Sequence, residues 1–446
     1  MPQSLPRLAR VLLIAIFSLY LALAILYSFA TRLKWGPDEP AHFVYVQSVA
    51  LDFRLPDLPP IPADYAGREL PARYSPGHAI SHQRQQPPLY YALAALPYRL
   101  LHRLPTDAIW LRLRWFSILL GLAALALQWR LLRLLFPRDP TICLAALAVL
   151  AFLPMFTYLT SVVNNDSLAT LMFTASAYQW VRLLSGKTSI ANVALAGALA
   201  GLAVLTKESA LALLPGLVIA VALTSPAGER RSWARRLGRA ALALGVAGVI
   251  SAGWFAYNLA TYGKPTVYAY LRPAYHSLSE ALADPYGPGG LVTVLGVAID
   301  RTFIFLWLPW WVVVEHARNL AVPYKLGMAL LSATAFVGLL LALLDRWRRK
   351  TGLSARQAQA LGLMLLTAVM LTLGVLRYIL FVDYTALQAG RYLIVVWPLL
   401  SIMGVVGLGT LLKTARAKAV GLSALALLWL ALNLAVLWGD YLTYHS

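Results

Sequence analysis

A single cysteine, Cys143, stands among 446 residues. No disulfide can form within the chain, and no cysteine-rich metal site exists. Acids are scarce too, with 18 Asp and Glu against 38 Lys and Arg, and charged residues of both signs make up only 13% of the chain. A soluble domain carries about a quarter. No glycine-rich loop of the GxxxxGK[ST] type occurs, so ATP-driven transport has no support. No internal repeat and no low-complexity linker interrupt the sequence. What is present is apolar: 60% hydrophobic residues and a mean hydropathy of +0.68. The composition is that of an all-α, polytopic integral membrane protein, with residues 1–446 forming one domain.

Apolar runs of roughly 20 residues mark membrane helices. Eleven are expected, at Leu8–Ala30, Leu111–Leu132, Thr141–Val163, Leu168–Leu184, Ile190–Leu205, Ala210–Leu223, Ala240–Leu259, Lys325–Leu344, Ala358–Val382, Tyr392–Leu412 and Val420–Trp438. The first is too long for a signal-peptide core and lacks a small-residue cleavage site, so it reads as a retained anchor. A net charge of +20 would suggest nucleic acid in a soluble protein. Here the basic residues precede the first helix (Arg7, Arg10) or follow every second one: Arg130, Arg133 and Arg138; Arg182 and Lys187; Arg230 to Arg239; Arg346 to Arg356; Lys413 to Lys418. A nucleic-acid surface has no reason to recur at alternate loops. The positive-inside rule makes that side cytoplasmic, with the N-terminus inside and the C-terminus outside.

The long loops fall on the other side. Residues 31–110 form the first, with an amphipathic segment at Ala41–Leu51 and an apolar stretch at Leu89–Leu101. That stretch is short for a span and contains Pro97, so it is expected to lie in the interface. Residues 260–324 form the second outer region, whose aromatic run Phe303 to Trp311 suits the same depth. Trp35-Gly36-Pro37-Asp38-Glu39-Pro40-Ala41-His42-Phe43 lies just past the first helix and holds two adjacent carboxylates at the membrane boundary. If a helix begins near Asp38, then Asp38, Glu39 and His42 share one face. The plain alternative is that the two acids only cap that helix.

Other polar motifs collect at the same outer face: Gln85-Gln86-Pro87-Pro88-Leu89-Tyr90-Tyr91, Arg112 and Arg114, Asn164-Asn165-Asp166, Thr206-Lys207-Glu208, and Gln388-Ala389-Gly390-Arg391-Tyr392. Each cation singly could be snorkelling to the interface. Their coincidence on one face is harder to explain as anchoring. His78 and His82 are four apart, a spacing able to hold a metal; a solvated loop pair is the commoner case, and that is the expectation here.

In this order, Asp38-Glu39, Gln86-Pro87-Pro88-Leu89-Tyr90-Tyr91, Asn165-Asp166, Leu205-Thr206-Lys207 and Gly390-Arg391-Tyr392 resemble the GT-C superfamily of membrane glycosyltransferases. The pattern is similar to its protein mannosyltransferase and aminoarabinose transferase branches, and closest to a bacterial family with the Pro-Asp-Glu-x-x-His opening. The resemblance spans Pro37 to Tyr392. It implies transfer of a sugar from a polyprenyl-phosphate carrier to a glycan, lipid or protein acceptor outside the cytoplasm, with inversion, in a bacterial-type inner membrane. It implies Asp38 as catalytic base, with Glu39 beside it. Arg391, Lys207 and Arg114 are expected at the donor phosphate, and His42, Gln86, Tyr90, Tyr91, Asp166 and Tyr392 around the substrates. Asp38 and Glu39 could together hold a divalent cation, Mg or Mn. Two departures stand out: Trp310-Trp311 is not followed by Asp, and no soluble domain is expected after Trp438. A carboxylate can take the acceptor proton, and a phosphate leaving group calls for cations rather than an acid. Two other readings remain: a transporter or flippase of a lipid-linked saccharide, and a polymer ligase using a diphosphate-linked donor.

Overall fold

The computed structural model describes residues 5–59, 72–224, 233–267, 310–381 and 389–445. Among them there is no strand, only isolated bridges from Ile80 to Asp57 and Arg73. The helices are α1 (Arg7–Ala30), α2 (Glu39–Gln47), α3 (Leu89–Leu101), α4 (Thr106–Leu135), α5 (Pro140–Ala151), α6 (Pro154–Leu159), α7 (Asp166–Leu184), α8 (Ile190–Thr206), α9 (Leu213–Ala222), α10 (Trp233–Tyr262), α11 (Trp310–Arg349), α12 (Ala355–Phe381), α13 (Trp397–Leu411) and α14 (Ala415–His445). Each of the eleven expected segments contains helix, though not every one is a single unbroken helix. Seven helices among the described residues are long and apolar enough to cross a bilayer: α1, α4, α10, α12, α14, the part of α11 from Leu326, and α13 with its preceding turn. The others are shorter or more polar.

The expected helix Thr141–Val163 is broken. Pro154 has no N–H to donate, and it holds Leu153 in an extended conformation, so α5 stops at Ala151 and α6 starts afresh. The break leaves carbonyls that hydrocarbon cannot satisfy. Asn433 of α14 answers it, donating to Phe152 O at 3.0 Å and to Thr157 Oγ1 at 2.9 Å. Tyr20 of α1 donates to Thr160 Oγ1 at 2.8 Å, and Tyr27 to Asn433 O at 3.2 Å. A buried polar seam therefore ties α1, α6 and α14 together.

Elsewhere small residues let backbones approach, the usual substitute for a hydrophobic driving force in lipid. A methyl placed at Gly197 of α8 would fall 2.2 Å from Ala243 O of α10. One at Gly407 of α13 would fall 1.9 Å from Ala335 O of α11. The segment expected at Ala41–Leu51 is α2 followed by a π-helical turn, Ser48–Asp52. The stretch Leu89–Leu101 forms α3 over its expected length; 13 residues span only about 20 Å. The aromatic run Phe303 to Pro309, and Gln388, lie outside the described residues.

The bundle has two distinct ends. The end of α1, the first third of α4, the starts of α7 and α9 and the end of α8 meet α2 and α3 at one of them. At the other, the basic loops close on helix termini: Arg356 donates to Leu134 O at 3.3 Å, Gln357 to Leu135 O at 2.8 Å, and Arg239 to Thr188 O.

Candidate active site

Asp38 precedes α2 in a left-handed backbone conformation, φ 56°. That region is uncommon for a residue with a side chain, though aspartate tolerates it, and such outliers gather at functional sites. The turn closes through Glu39 N donating to Gly36 O at 3.0 Å and His42 N donating to Asp38 O at 3.0 Å. Asp38 stands at the helix cap position, yet its carboxylate makes no capping hydrogen bond. Instead Arg391 donates to Oδ2 at 2.8 Å, and the His82 ring Nε2 lies 3.3 Å from Oδ1. The side chain keeps 28% of its surface exposed. The capping alternative is thus corrected by geometry: the carboxylate turns away from the helix it begins.

The same left-handed turn separates the neighbouring acids. Asp38, Glu39 and His42 do not share one face. Glu39 is fully buried and joined to Arg114 by two bonds of 2.7 Å. It also accepts from Gly36 N at 3.2 Å and from Val163 N at 3.0 Å. Arg114 spends its remaining donors on Ser28 O, Thr31 O and Arg32 O. This cluster fastens the end of α1, the start of α2, the first third of α4 and the loop before α7. Both Glu39 oxygens and all the Arg114 nitrogens are occupied, so the expected catalytic and phosphate-binding roles of this pair have no open face. A metal held between Asp38 and Glu39 does not fit for the same reason, and no cluster of three or more ligating side chains occurs among the described residues.

Arg391 connects the first motif to the others. Its Nε lies 3.6 Å from Asp166 Oδ2, while Asp166 Oδ1 takes Lys207 Nζ. Lys207 Nζ also sits 5.5 Å from the ring centre of Tyr392, which meets Tyr378 edge-on at 5.8 Å. Arg391 and Lys207 are each 6% exposed. Snorkelling cations would reach outward; these point into ion pairs. Four charges of alternating sign, Asp38, Arg391, Asp166 and Lys207, therefore form one row at the end of the bundle.

Behind it lies an aromatic and amide wall. His42 Nδ1 meets Tyr91 Oη at 2.9 Å, and its other ring nitrogen is buried without a hydrogen-bond partner among the described residues. Tyr91 stacks on Tyr45 at 3.6 Å. Tyr45 donates to Gln86 O at 3.2 Å, and Asn165 Nδ2 donates to Gln86 Oε1 at 3.2 Å. Tyr90 Oη lies 3.3 Å from Ser117 Oγ and is wholly buried. Gln86, Tyr90 and Tyr91 thus reach the site as its supporting wall.

Burial pushes the Asp38 carboxyl upward, but Arg391 and then His82 outweigh it and hold the group well below the usual carboxylate range. Burial lowers the His42 imidazole to about 3, so it is neutral at physiological pH despite the nearby Asp38.

Two contributors escape sequence reasoning. His82 is not a solvated partner of exposed His78 but a neighbour of Asp38, 44 residues away. Arg84, 1% exposed, lies 5.1, 4.9 and 5.6 Å from the rings of Trp254, Tyr257 and Tyr262, and its terminal nitrogens make no hydrogen bond among the described residues. Trp254 in turn donates to Glu208 at 2.9 Å. Only the fold brings these positions together.

Residues 85–254 match the model of the dolichyl-phosphate-mannose-protein mannosyltransferase family. The structure is similar to ArnT from Cupriavidus metallidurans, solved bound to undecaprenyl phosphate: TM-score 0.52, 16% identity, 96% of this chain and 71% of that one. It is similar to an Archaeoglobus fulgidus oligosaccharyltransferase in complex with Zn and sulfate: TM-score 0.51, 15% identity, 95% of this chain and 52% of that one. It is also similar to AglB from Archaeoglobus fulgidus, solved with an inhibitory peptide and a dolichol-phosphate: TM-score 0.55, 14% identity, 98% of this chain and 55% of that one. The chain spans about half the length of those archaeal chains. No curated protein matches the sequence.

Proposed function

We propose that this chain, which has the fold of the GT-C membrane glycosyltransferases, transfers a sugar from a polyprenyl-phosphate carrier to an acceptor on the non-cytoplasmic face of a bacterial-type inner membrane, with inversion. The observation that carries the reading is the row Asp38–Arg391–Asp166–Lys207, in which the partly exposed Asp38 carboxylate pairs with buried Arg391 and the buried Asp166 carboxylate sits between Arg391 and Lys207.

Asp38 is the base in this reading. It accepts the proton of the acceptor hydroxyl as the oxygen attacks the anomeric carbon, and the carrier phosphate leaves from the opposite side. Bound to Arg391, Asp38 is ionised but weakly basic. A donor phosphate competes for the planar guanidinium, which suits two phosphate oxygens. As Arg391 shifts toward the phosphate, the Asp38 carboxylate loses its nearest positive charge and gains basicity. Lys207 supplies a second charge against the phosphate, and Asp166 keeps both cations in place. His42, Tyr91, Gln86 and Tyr392 line the substrates. Glu39 and Arg114 act one step back, by fixing the turn that aims Asp38.

The test is a transfer assay on purified protein with a panel of polyprenyl-phosphate sugars and candidate acceptors, the product's anomeric configuration being read by NMR. One monophosphate donor should be consumed and its configuration inverted. Consumption of diphosphate donors alone would favour a polymer ligase. Transbilayer movement of a lipid-linked saccharide in proteoliposomes, with no donor consumed, would favour a flippase.

A further inference from the structure

At the end of the bundle opposite Asp38, the termini of α4, α5, α11, α12, α13 and α14 surround a cavity of about 660 Å³. Its depth is set by α4. From Arg114, at the Glu39 cluster, to Leu135, on the cavity wall, there are 21 helical steps, about 30 Å. That equals the hydrocarbon thickness of a bilayer, so the cavity opens at the other membrane boundary. Its inner wall is apolar, from Ile142, Ala342 and Val406. Its rim is charged with both signs: Arg138, Arg356 and Lys418 against Asp139 and Asp345.

The charges are not spent on one another. Among the described residues no ion pair joins Arg138, Arg356 or Lys418 to either acid. Asp139 caps α5 by accepting from Ile142 N at 3.0 Å, and among the described residues Asp345 pairs with Arg349 alone, at 3.7 Å on an exposed surface. Arg356 uses its two terminal nitrogens on Ser185 Oγ and Leu134 O, which holds it in place, while its Nε is buried without a partner among the described residues. A fixed donor and two free cations beside two acids, above an apolar wall, match a ligand with an anion, an amine and an acyl chain.

We infer that this cavity binds a phospholipid whose headgroup carries both a phosphate and a primary ammonium, as phosphatidylethanolamine does. The phosphate faces Arg356, Arg138 and Lys418; the ammonium donates to Asp345 and Asp139; an acyl chain lies along Ile142, Ala342 and Val406. A quaternary ammonium cannot donate to the acids, and an anionic headgroup leaves them opposed to its charge.

The test is native mass spectrometry of the full-length protein, released from detergent after equilibration with phosphatidylethanolamine, phosphatidylcholine or phosphatidylglycerol. The wild type should retain the ethanolamine lipid about tenfold better than the choline lipid, the equivalent of one charge-assisted hydrogen bond. Asp345→Asn should erase that preference. The double variant Arg138→Gln/Lys418→Gln, at two side chains that make no hydrogen bond or ion pair among the described residues, should lose retention of all three lipids to the detergent background. Sugar transfer lies a bilayer away and should be unchanged in saturating lipid. Equal retention of the three lipids by the wild type, preference for phosphatidylglycerol, or unchanged retention in the double variant would each overturn the site.

Discussion

At the scale of single residues, adjacency in sequence misleads and the fold corrects it. Asp38 and Glu39 are neighbours, but one faces the site and the other is sealed against Arg114. Their variants should separate cleanly. Glu39→Gln leaves the Arg114 guanidinium buried and uncompensated, which costs about 3–5 kcal/mol. Thermal unfolding in detergent should show that loss, while the protein that stays folded loses far less turnover than Asp38→Asn, because Glu39 only positions the turn that aims Asp38. A stable Glu39→Gln protein without activity would place Glu39 in the chemistry instead.

Arg391 gives two further outcomes. Arg391→Lys keeps the charge but loses the fork, so turnover should fall about tenfold, the worth of one charge-assisted hydrogen bond. A residue that merely anchored the chain in lipid would tolerate the change. In Arg391→Gln the Asp38 carboxyl is left with burial, which raises it, and loses the cation that lowers it. The acid limb of kcat/KM should therefore move to higher pH than in the wild type. No inflection near pH 6 to 7 should arise from His42, whose buried imidazole does not ionise there. An unmoved acid limb would separate Asp38 from the rate-determining proton.

Elements were the most legible part of the sequence, because apolar length and proline placement act locally. Leu89–Leu101 forms a helix over its expected residues. Thr141–Val163 does not, since Pro154 outweighs the continuous apolar run, and the partner that makes the break tolerable, Asn433, lies 281 residues from Phe152. The site was legible as a set of motifs at one end of the bundle. Its pairings were not: Asp38 reaches Arg391 across 353 residues, and Asp166 reaches Lys207 across 41. Nothing in local pattern distinguishes an ion-paired arginine from a snorkelling one, or a histidine beside a carboxylate from a solvated one. Helix contacts give an element-scale prediction. Gly407→Ala forces a methyl against Ala335 O, so α11 and α13 must part at a cost of about 1–3 kcal/mol. The melting temperature in detergent should fall. An unchanged value would mean that this helix pair already sits further apart.

For the whole molecule, the two ends carry different chemistry, and the expectation from the charge pattern is that they lie at opposite faces of the membrane. The basic loops gather at one end and the Asp38 row at the other. With the N-terminus inside and eleven crossings, a reporter fused after Ser446 should be active only outside the cytoplasm. Cytoplasmic activity would change the parity of the spans. It would also leave open which boundary the short helices α5, α8 and α9 reach.

The central claim is that Asp38 removes the acceptor's proton, and turnover by Asp38→Asn tests it most directly, measured beside donor binding on the same folded preparation. The substitution keeps size and removes basicity. The account predicts a fall of roughly 100-fold or more in transfer, with donor binding retained because Arg391 is freed for the phosphate. Wild-type turnover in folded Asp38→Asn would contradict it.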